Sequence, residues 1–304
     1  MEIYNEGKRM KKQLIGIFPN LEKDLVRQEL PKFVALCKEE KLDIVLPNTI
    51  AAEYNTPGYD TNEEESLKGM TAAITLGGDG TILRATPYIA PLGIPLLGIN
   101  LGRLGFLTEV GLGNMDAAIC RMKKEHYTIE KRSMLQAEVW SGRRKILKAH
   151  HAINEVVLAG SNVSRLTHLT VKINGQHSAN YPSDGLIIAT ATGSTSYSLS
   201  AGGPIIHPSL DVSLITPICA HALHARPMVI PMTDKVELEP CAPYGDIFLS
   251  TDGLILCSIK PEHRVIVQKS PYAMNFIRFG NDSYYETWQN RLLRKEESGA
   301  KKEL

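Results

Sequence analysis

Residues Met70 to Tyr88 read M-T-A-A-I-T-L-G-G-D-G-T-I-L-R-A-T-P-Y. The first seven form a short apolar run of strand type. Gly77-Gly78-Asp79-Gly80-Thr81 then breaks the run before Ile82 to Tyr88, whose pattern suits a short helix. Glycines at such a junction let backbone N–H groups approach a phosphate closely, and the N-terminus of the following helix adds a favourable dipole. The turn therefore reads as a phosphate cradle, with Gly77, Gly78, Gly80 and Thr81 as its binding residues. It follows neither the G-x-x-x-x-G-K-[ST] nor the G-x-G-x-x-G pattern. Its plainest alternative is a tight turn with Asp79 capping the helix. An aspartate among phosphate-binding amides has a use only if it meets a hydroxyl or a metal, which makes Asp79 the candidate catalytic base.

Working outward, Gln13 to Phe18 reads as a strand and Leu21 to Lys41 as a helix, with Pro31 expected to kink or split it because proline lacks a backbone donor. Leu42 to Leu46 and Ile94 to Ile99 read as further strands, and Glu53 to Lys68 as an exposed segment. Strands alternating with helices imply a parallel α/β sheet. Near Tyr127 the texture changes. Leu135 to Trp140, Leu166 to Ile173 before the Asn174-Gly175 turn, Val236 to Leu238, Ile247 to Leu249 and Arg264 to Val267 read as strands, so the second half is mainly β. A helical pattern returns from Tyr284 to Arg294, and the charged stretch to Leu304 reads as a frayed tail. The expected division is residues 1–127, residues 128–275 and a C-terminal segment, residues 276–304, whose helix packs back on the first domain.

A chain of 304 residues favours two domains. Its 34 Lys and Arg nearly cancel 33 Asp and Glu, so no global field gathers nucleic acid or an anionic membrane. Any polyanion must be bound locally. The charged N-terminus has no signal-type apolar stretch and no run of about 18 apolar residues occurs, which fits a cytoplasmic location. The five cysteines (Cys37, Cys120, Cys219, Cys241, Cys257) lie far apart, and their odd number argues against a disulfide framework. His221 and His224 are three apart without a matching carboxylate or cysteine cluster, so no metal site is expected.

A second feature is Thr192-Gly193-Ser194-Thr195-Ser196-Tyr197-Ser198-Leu199-Ser200-Ala201-Gly202-Gly203-Pro204. Short hydroxyls, glycines and one ring suit a sugar or nucleotide, although composition alone also fits a flexible surface loop. Together the two runs resemble the NAD kinase family, with its G-G-D-G motif and T-G-S-T-A-Y-S-L-S-A-G-G-P loop. Three more stretches agree in order and spacing: Asn100 to Thr108 (N-L-G-R-L-G-F-L-T), Asn154-Glu155, and Ser183-Asp184-Gly185-Leu186. The sequence departs from the family pattern at Pro182, Ala191, Ser196, Ala220 and Leu254, none of which removes a group the chemistry needs.

The resemblance implies an α/β domain with a Rossmann-like parallel sheet beside a mainly-β sandwich, with NAD lying between them. It implies transfer of the γ-phosphoryl group of ATP to the 2′-hydroxyl of the adenosine ribose of NAD, Mg²⁺ or another divalent cation accompanying ATP, polyphosphate as a conceivable donor, and homodimers or homotetramers. Asp79 would meet the NAD adenosine ribose, with Gly77, Gly78 and Gly80 near phosphate and Gly80 also counted as NAD-binding, Asn154 would meet the adenine, Glu155 and Tyr197 the ribose and phosphates, and Asp184 with Ser200 the nicotinamide side. Thr195 and Ser196 would line the adenine pocket, and Ser198 and Leu199 belong to the same NAD-binding loop. Arg84 matches a position where some members present a basic side chain to NAD. Arg165 and His221 are weaker candidates of the same kind. Two other readings share part of the pattern: a lipid or sugar kinase with a G-G-D-G loop, and an NAD-sensing module without catalysis.

Overall fold

A computed structural model describes residues 13–102, 105–160, 167–222, 225–241, 246–280 and 284–292. The tail expected from Arg294 to Leu304 lies outside these. Contacts divide the chain into two compact units, residues 1–131 with 274–304 and residues 132–273.

The first unit opens with β1 (Leu14–Pro19), α1 (Asp24–Glu39), β2 (Asp43–Pro47), α2 (Asn48–Ala51), β3 (Gly58–Tyr59) and α3 (Glu64–Leu67). Then come β4 (Ala72–Gly77), α4 (Asp79–Ile89), β5 (Leu96–Asn100), β6 (Val110–Gly111) and α5 (Met115–Lys123). Pairing is parallel throughout in the order β5-β4-β1-β2-β3. Every residue of β4 and β5 is buried, as strands covered on both faces require. On α1 the buried residues Val26, Leu30, Phe33, Val34 and Cys37 recur at helical spacing and form one apolar stripe. Burial pushes the Cys37 thiol up to about 12. The expected break at Pro31 does not occur. Pro31 lies on the exposed face of a continuous helix, and the buried stripe on the other face outweighs the lost donor. Glu53 to Lys68, read as an exposed segment, contains β3 and α3, both too short to show a periodicity.

Chain order supplies the functional geometry. From β1 the chain moves to β2 and β3 on one side, then returns to place β4 and β5 on the other. The reversal lies between β1 and β4, and in open α/β sheets ligands bind outside the carboxyl ends of strands at such a switch point. The carboxyl end of β4 is the glycine turn.

The second unit is antiparallel. It contains β7 (Thr128–Ser141, from Arg132), β8 (Arg144–Ala152), β9 (Glu155–Gly160), β10 (Thr167–Ile173), β11 (Gln176–Ser183), β12 (Gly185–Thr190), α6 (Tyr197–Ser200) and β13 (Val212–Ile218). It continues through β14 (Met228–Pro231), β15 (Val236–Pro240), β16 (Ile247–Thr251), β17 (Leu254–Ile259) and β18 (His263–Arg278, to Ala273). One sheet runs β14-β13-β12-β9-β16-β17. Its inner residues Val156, Leu158, Leu186 and Ile188 share one core with Leu169, Val171, Leu238 and Val265 of the other sheet, which makes the unit a sandwich. α7 (Tyr284–Leu292) follows in the C-terminal part of the first unit.

The last residues of β18 return to the first unit, where Phe276 pairs with Leu96. There Arg278 donates from Nε to Glu130 (2.7 Å) and from Nη1 to Glu109 (3.1 Å) and the Leu107 carbonyl (3.2 Å). Glu109 also accepts the Phe279 N–H at 2.8 Å. Arg278→Met would leave two half-buried carboxylates without their cation and should cost about 2–3 kcal/mol. Urea unfolding of the variant reads this directly, and an unmoved midpoint would show that the network carries no stability.

Candidate functional site

In the first unit, Asp79 is the first residue of α4, directly after the glycine turn. Its carboxylate is held from the far side of the segment after β5. Oδ2 accepts the Phe106 N–H at 2.7 Å, and Oδ1 accepts those of Leu107 and Thr108 at 3.1 and 3.3 Å. Gly105 makes this approach possible, since a Cβ there would overlap the carboxylate. The Thr108 hydroxyl accepts the Gly105 N–H at 2.9 Å and Arg278 holds the Leu107 carbonyl, so the receiving segment is itself fixed. The N-L-G-R-L-G-F-L-T stretch is thus the seat of Asp79.

At the turn, the Thr81 hydroxyl accepts the Gly78 N–H at 3.4 Å. The Lys23 ammonium lies close above Gly78, within 3.5 Å of where a Cβ would stand. Sequence reasoning missed Lys23, which sits 55 positions earlier (78 − 23) and carries no motif. Arg84 forms an exposed ion pair with Glu22 at 3.0 Å.

In the second unit a similar device recurs. The Asp252 carboxylate accepts the N–H groups of Ile153 (2.9 Å), Asn154 (2.9 Å) and Glu155 (3.0 Å). Asp252 and Gly253 both have positive φ (47° and 83°) and join β16 to β17 in a two-residue hairpin turn of the primed type. An Asp-Gly pair between two apolar runs was the signal that could have located this turn, but the anchoring role depends on β9 being its neighbour. Burial pushes the Asp252 carboxyl up, against the three amide donors that favour its charged form.

The anchored pair is Asn154-Glu155. The Asn154 side-chain amide has no hydrogen bond among the described residues, although the residue is only 8 % exposed. Glu155 is 6 % exposed; its Oε1 accepts the Ser196 hydroxyl at 3.3 Å, and its Oε2 is buried without a partner. Burial, and then the nearby Asp252 charge, push the Glu155 carboxyl up to about 7.

The serine-rich loop packs on the same backbone. Gly193 lies so close to the Asn154 carbonyl that no side chain fits there, and Thr190 binds both Ile153 and Asn154 through its hydroxyl and N–H. Many of the loop's hydroxyls serve the fold. Ser194 ties Ala191 to Ile206, Thr195 donates to the Thr192 carbonyl, and the fully buried Ser198 bonds Thr216 at 2.8 Å. Ser196 faces Glu155, while Tyr197 (43 % exposed) and Ser200 are open to solvent and Leu199 is partly so. Burial, then the charges of Cys219, Asp184 and Glu155, raise the Tyr197 phenol above its usual range. Asp184 is half-buried between β11 and β12, and the exposed His221 borders a cavity of about 340 Å³ with Gly202, Cys219 and Arg226. Arg165 and His224 lie outside the described residues.

Glu155 generates a pH prediction. With its carboxyl raised to about 7 from an ordinary 4.5, it is protonated in both folded and unfolded chains below pH 4.5 and costs nothing there. Between pH 4.5 and about 7 the unfolded chain gives up this proton while the folded chain keeps it, so stability falls by about 3 kcal/mol in all, and above pH 7 the deficit stays constant. Glu155→Gln should therefore unfold at a higher temperature than the natural protein at about pH 8, and the difference should shrink below pH 7 and vanish near pH 4. Thermal melts across that range check it; a pH-independent difference would contradict the burial of this charge.

Comparison with known proteins agrees with both halves. A family model described as ATP-NAD kinase N-terminal domain matches residues 20–127, and one described as ATP-NAD kinase C-terminal domain matches residues 153–279. The NAD kinase of Natranaerobius thermophilus is 35% identical over 278 residues, covering 91% of this chain and 97% of that protein. That of Moorella thermoacetica is 35% identical over 280 residues, covering 92% and 89%. Among solved structures, yeast NADH kinase complexed with NADH superposes with a TM-score of 0.84 at 23% identity, covering 96% of this chain and 89% of that one. An NAD kinase from Archaeoglobus fulgidus in complex with ATP gives 0.71 at 22%, covering 94% and 99%. These structures share the fold of an α/β unit with a parallel sheet and an antiparallel β-sandwich, and by the family models and the sequence identity the chain belongs to the NAD kinase family.

Proposed function

We propose that this chain transfers the γ-phosphoryl group of ATP to the 2′-hydroxyl of the adenosine ribose of NAD, producing NADP and ADP. The observation that carries the proposal is the seating of Asp79 at the head of α4. A carboxylate has about four acceptor positions, and three are filled by backbone amides. The remaining one is held in a fixed direction beside the glycine turn, ready for a hydroxyl proton. The names of the relatives, the NADH in the yeast complex and the ATP in the archaeal one support the same reading. The lipid or sugar kinase and the non-catalytic sensor are not favoured.

In the proposed step the ribose 2′-oxygen attacks the γ-phosphorus and the bond to the β-phosphate oxygen breaks. The hydroxyl proton passes to Asp79 late in the transfer. Phosphoryl transfer through a loose transition state depends on in-line positioning and charge neutralisation, so the amides of the glycine turn and Lys23 receive the phosphates while Asp79 orients the acceptor. ATP enters as its complex with Mg²⁺ or another divalent cation, which supplies further neutralising charge. In the second unit Asn154 and Glu155, held by Asp252, bind adenine and ribose, and Tyr197 with Ser196 closes on the same nucleoside. The five free cysteines suit a reducing, cytoplasmic setting. No helix among the described residues is long and apolar enough to cross a membrane.

One mixture of purified protein, Mg-ATP and NAD, read for NADP with an NADP-specific dehydrogenase, tests the activity; absence of NADP refutes it. Asp79→Asn should lower kcat by about 10²–10⁴-fold while KM for NAD changes little, because proton acceptance is lost and binding is not. An unchanged kcat removes Asp79 from the chemistry. Gly105→Ala should also lower kcat, by displacing the carboxylate, whereas Gly102→Ala should not, since its Cβ meets nothing closer than 3.7 Å. Equal kcat for both alanine variants would show that the seat of Asp79 is unimportant.

A further inference from the structure

Both backbone groups of Glu155 are tied to one residue: its N–H goes to Asp252 Oδ1 and its carbonyl accepts the Asp252 N–H, each at 3.0 Å. The main chain is fixed at this position, and the freedom that remains lies in the side chain. The last torsion of a glutamate is broad, so nothing intrinsic decides where each carboxyl oxygen points. A further contact has to hold the group if Oε2 is to face a ligand in a constant direction. We propose that Ser196 is the positioning residue of this carboxyl: its hydroxyl, held by the backbone of the serine-rich loop, fixes Oε1 of Glu155 and so aims Oε2 at the acceptor nucleoside. The proposal rests on the reading of the chain as a kinase acting on NAD and deepens it, since Ser196 then closes on the nucleoside through Glu155.

Three observations carry it. The first is the direction of the hydroxyl. Ser196 is the residue before α6, the position from which a serine side chain ordinarily accepts a backbone N–H of the first helical turn. Among the described residues no such cap bond forms. The Leu199 N–H goes instead to the Ser196 carbonyl at 3.1 Å, which leaves the side chain uncommitted, and its hydroxyl reaches Glu155 Oε1 at 3.3 Å.

The second is that the donor cannot drift. The Ser196 N–H is donated to the Gly193 carbonyl at 2.9 Å, and a Cβ on Gly193 would overlap the Asn154 carbonyl, so Gly193 lies directly on the backbone that carries Glu155. Thr190 closes the path from the other end. Its N–H goes to the Asn154 carbonyl at 2.8 Å, and its hydroxyl accepts the Gly193 N–H at 2.9 Å. The loop and the start of β9 thus form one ring of contacts, from Asn154 through Thr190, Gly193 and Ser196 back to Glu155.

The third is what the neighbouring hydroxyls do. Thr192 accepts a bond from Arg132, Ser194 and Thr195 donate to loop carbonyls, and Ser198 bonds Thr216. Those contacts hold the loop itself, whereas Ser196 commits its hydroxyl to a carboxyl whose other oxygen is buried without a partner. Ser196 is also where the chain departs from the family's T-G-S-T-A-Y run, so the donor is a property of this chain. Burial and the Asp252 charge disfavour the charged form of Glu155, and the Ser196 hydroxyl opposes them. Fixing the carboxyl in advance shows in affinity, because an unfixed side chain must be ordered at the moment of binding.

The test compares the natural protein with Ser196→Ala, Ser196→Thr, Glu155→Leu and the double variant Ser196→Ala with Glu155→Leu, melting temperatures being measured first. Calorimetric titration with NAD is expected to show Ser196→Ala binding about tenfold more weakly, as loss of a hydrogen bond to a charged group implies. Ser196→Thr keeps the hydroxyl and should stay within about threefold of the natural protein. In the Glu155→Leu background, Ser196→Ala should change the affinity by less than about twofold, because a residue that acts through Glu155 has nothing left to position. Equal losses from Ser196→Ala in the two backgrounds overturn the assignment and make Ser196 a direct ligand contact. Unchanged affinity of Ser196→Ala also overturns it, as does a loss of the same size in Ser196→Thr. If Glu155→Leu does not fold, the comparison of serine, threonine and alanine at position 196 decides alone. A natural protein that makes NADP while Ser196→Ala binds NAD as tightly loses this assignment and keeps its function; a natural protein that binds no NAD loses both.

Discussion

Three consecutive backbone N–H groups converge on one carboxylate at Asp79, and the position of nearly every other group in the first unit's site follows from that contact. In an extended strand successive N–H groups point to opposite edges, so three consecutive ones meeting on a single carboxylate mark a segment that is not extended. The Phe106–Thr108 segment can present them because Gly105 admits the carboxylate and because Arg278 holds the Leu107 carbonyl from behind. A bond network thus runs from the end of β18 through residues 107–109 to the first residue of α4. It fixes the carboxylate in angle and in depth, which a helix cap alone would not. Asp79 at the start of α4 also lies where a helix dipole favours negative charge, so dipole and amides reinforce one another.

The second unit solves the same problem with different parts. Asp252 gathers the N–H groups of residues 153–155 and thereby holds the irregular link between β8 and β9. Neither aspartate is free to wander, and neither sits in a motif for its anchoring role. Anchoring through backbone amides leaves neighbouring side chains uncommitted: Asn154 keeps its amide and Glu155 one whole oxygen for a ligand. Side-chain anchors would have consumed those groups.

How much of this was legible follows from the kind of signal each element leaves. The strand, glycine turn and helix around Asp79 were readable because glycine punctuation is local. The identity of Asp79's partners was not, since residues 27 to 29 positions away supply them. The serine-rich loop was readable as a loop, but its hydroxyl count suggested more ligand contacts than the packing permits; Ser198, named as a binding residue, is fully buried against Thr216. Short central strands such as β12, six residues all buried, and β9 were passed over because a strand covered on both faces shows no alternation. Lys23 left no trace at all. It matters only because the sheet order brings the end of β1 beside the end of β4.

The orphaned Oε2 of Glu155 is the last step of this logic. An acceptor buried without a partner costs about 1–3 kcal/mol, and natural proteins keep few of them. Ser196 reaches only Oε1. The group is retained beside a second buried carboxylate, Asp252, which raises its cost further. With its carboxyl raised to about 7, Glu155 can present either a proton or a lone pair to a hydroxyl. In the proposed function a ribose hydroxyl placed here would recover the instability that the unpaired oxygen stores.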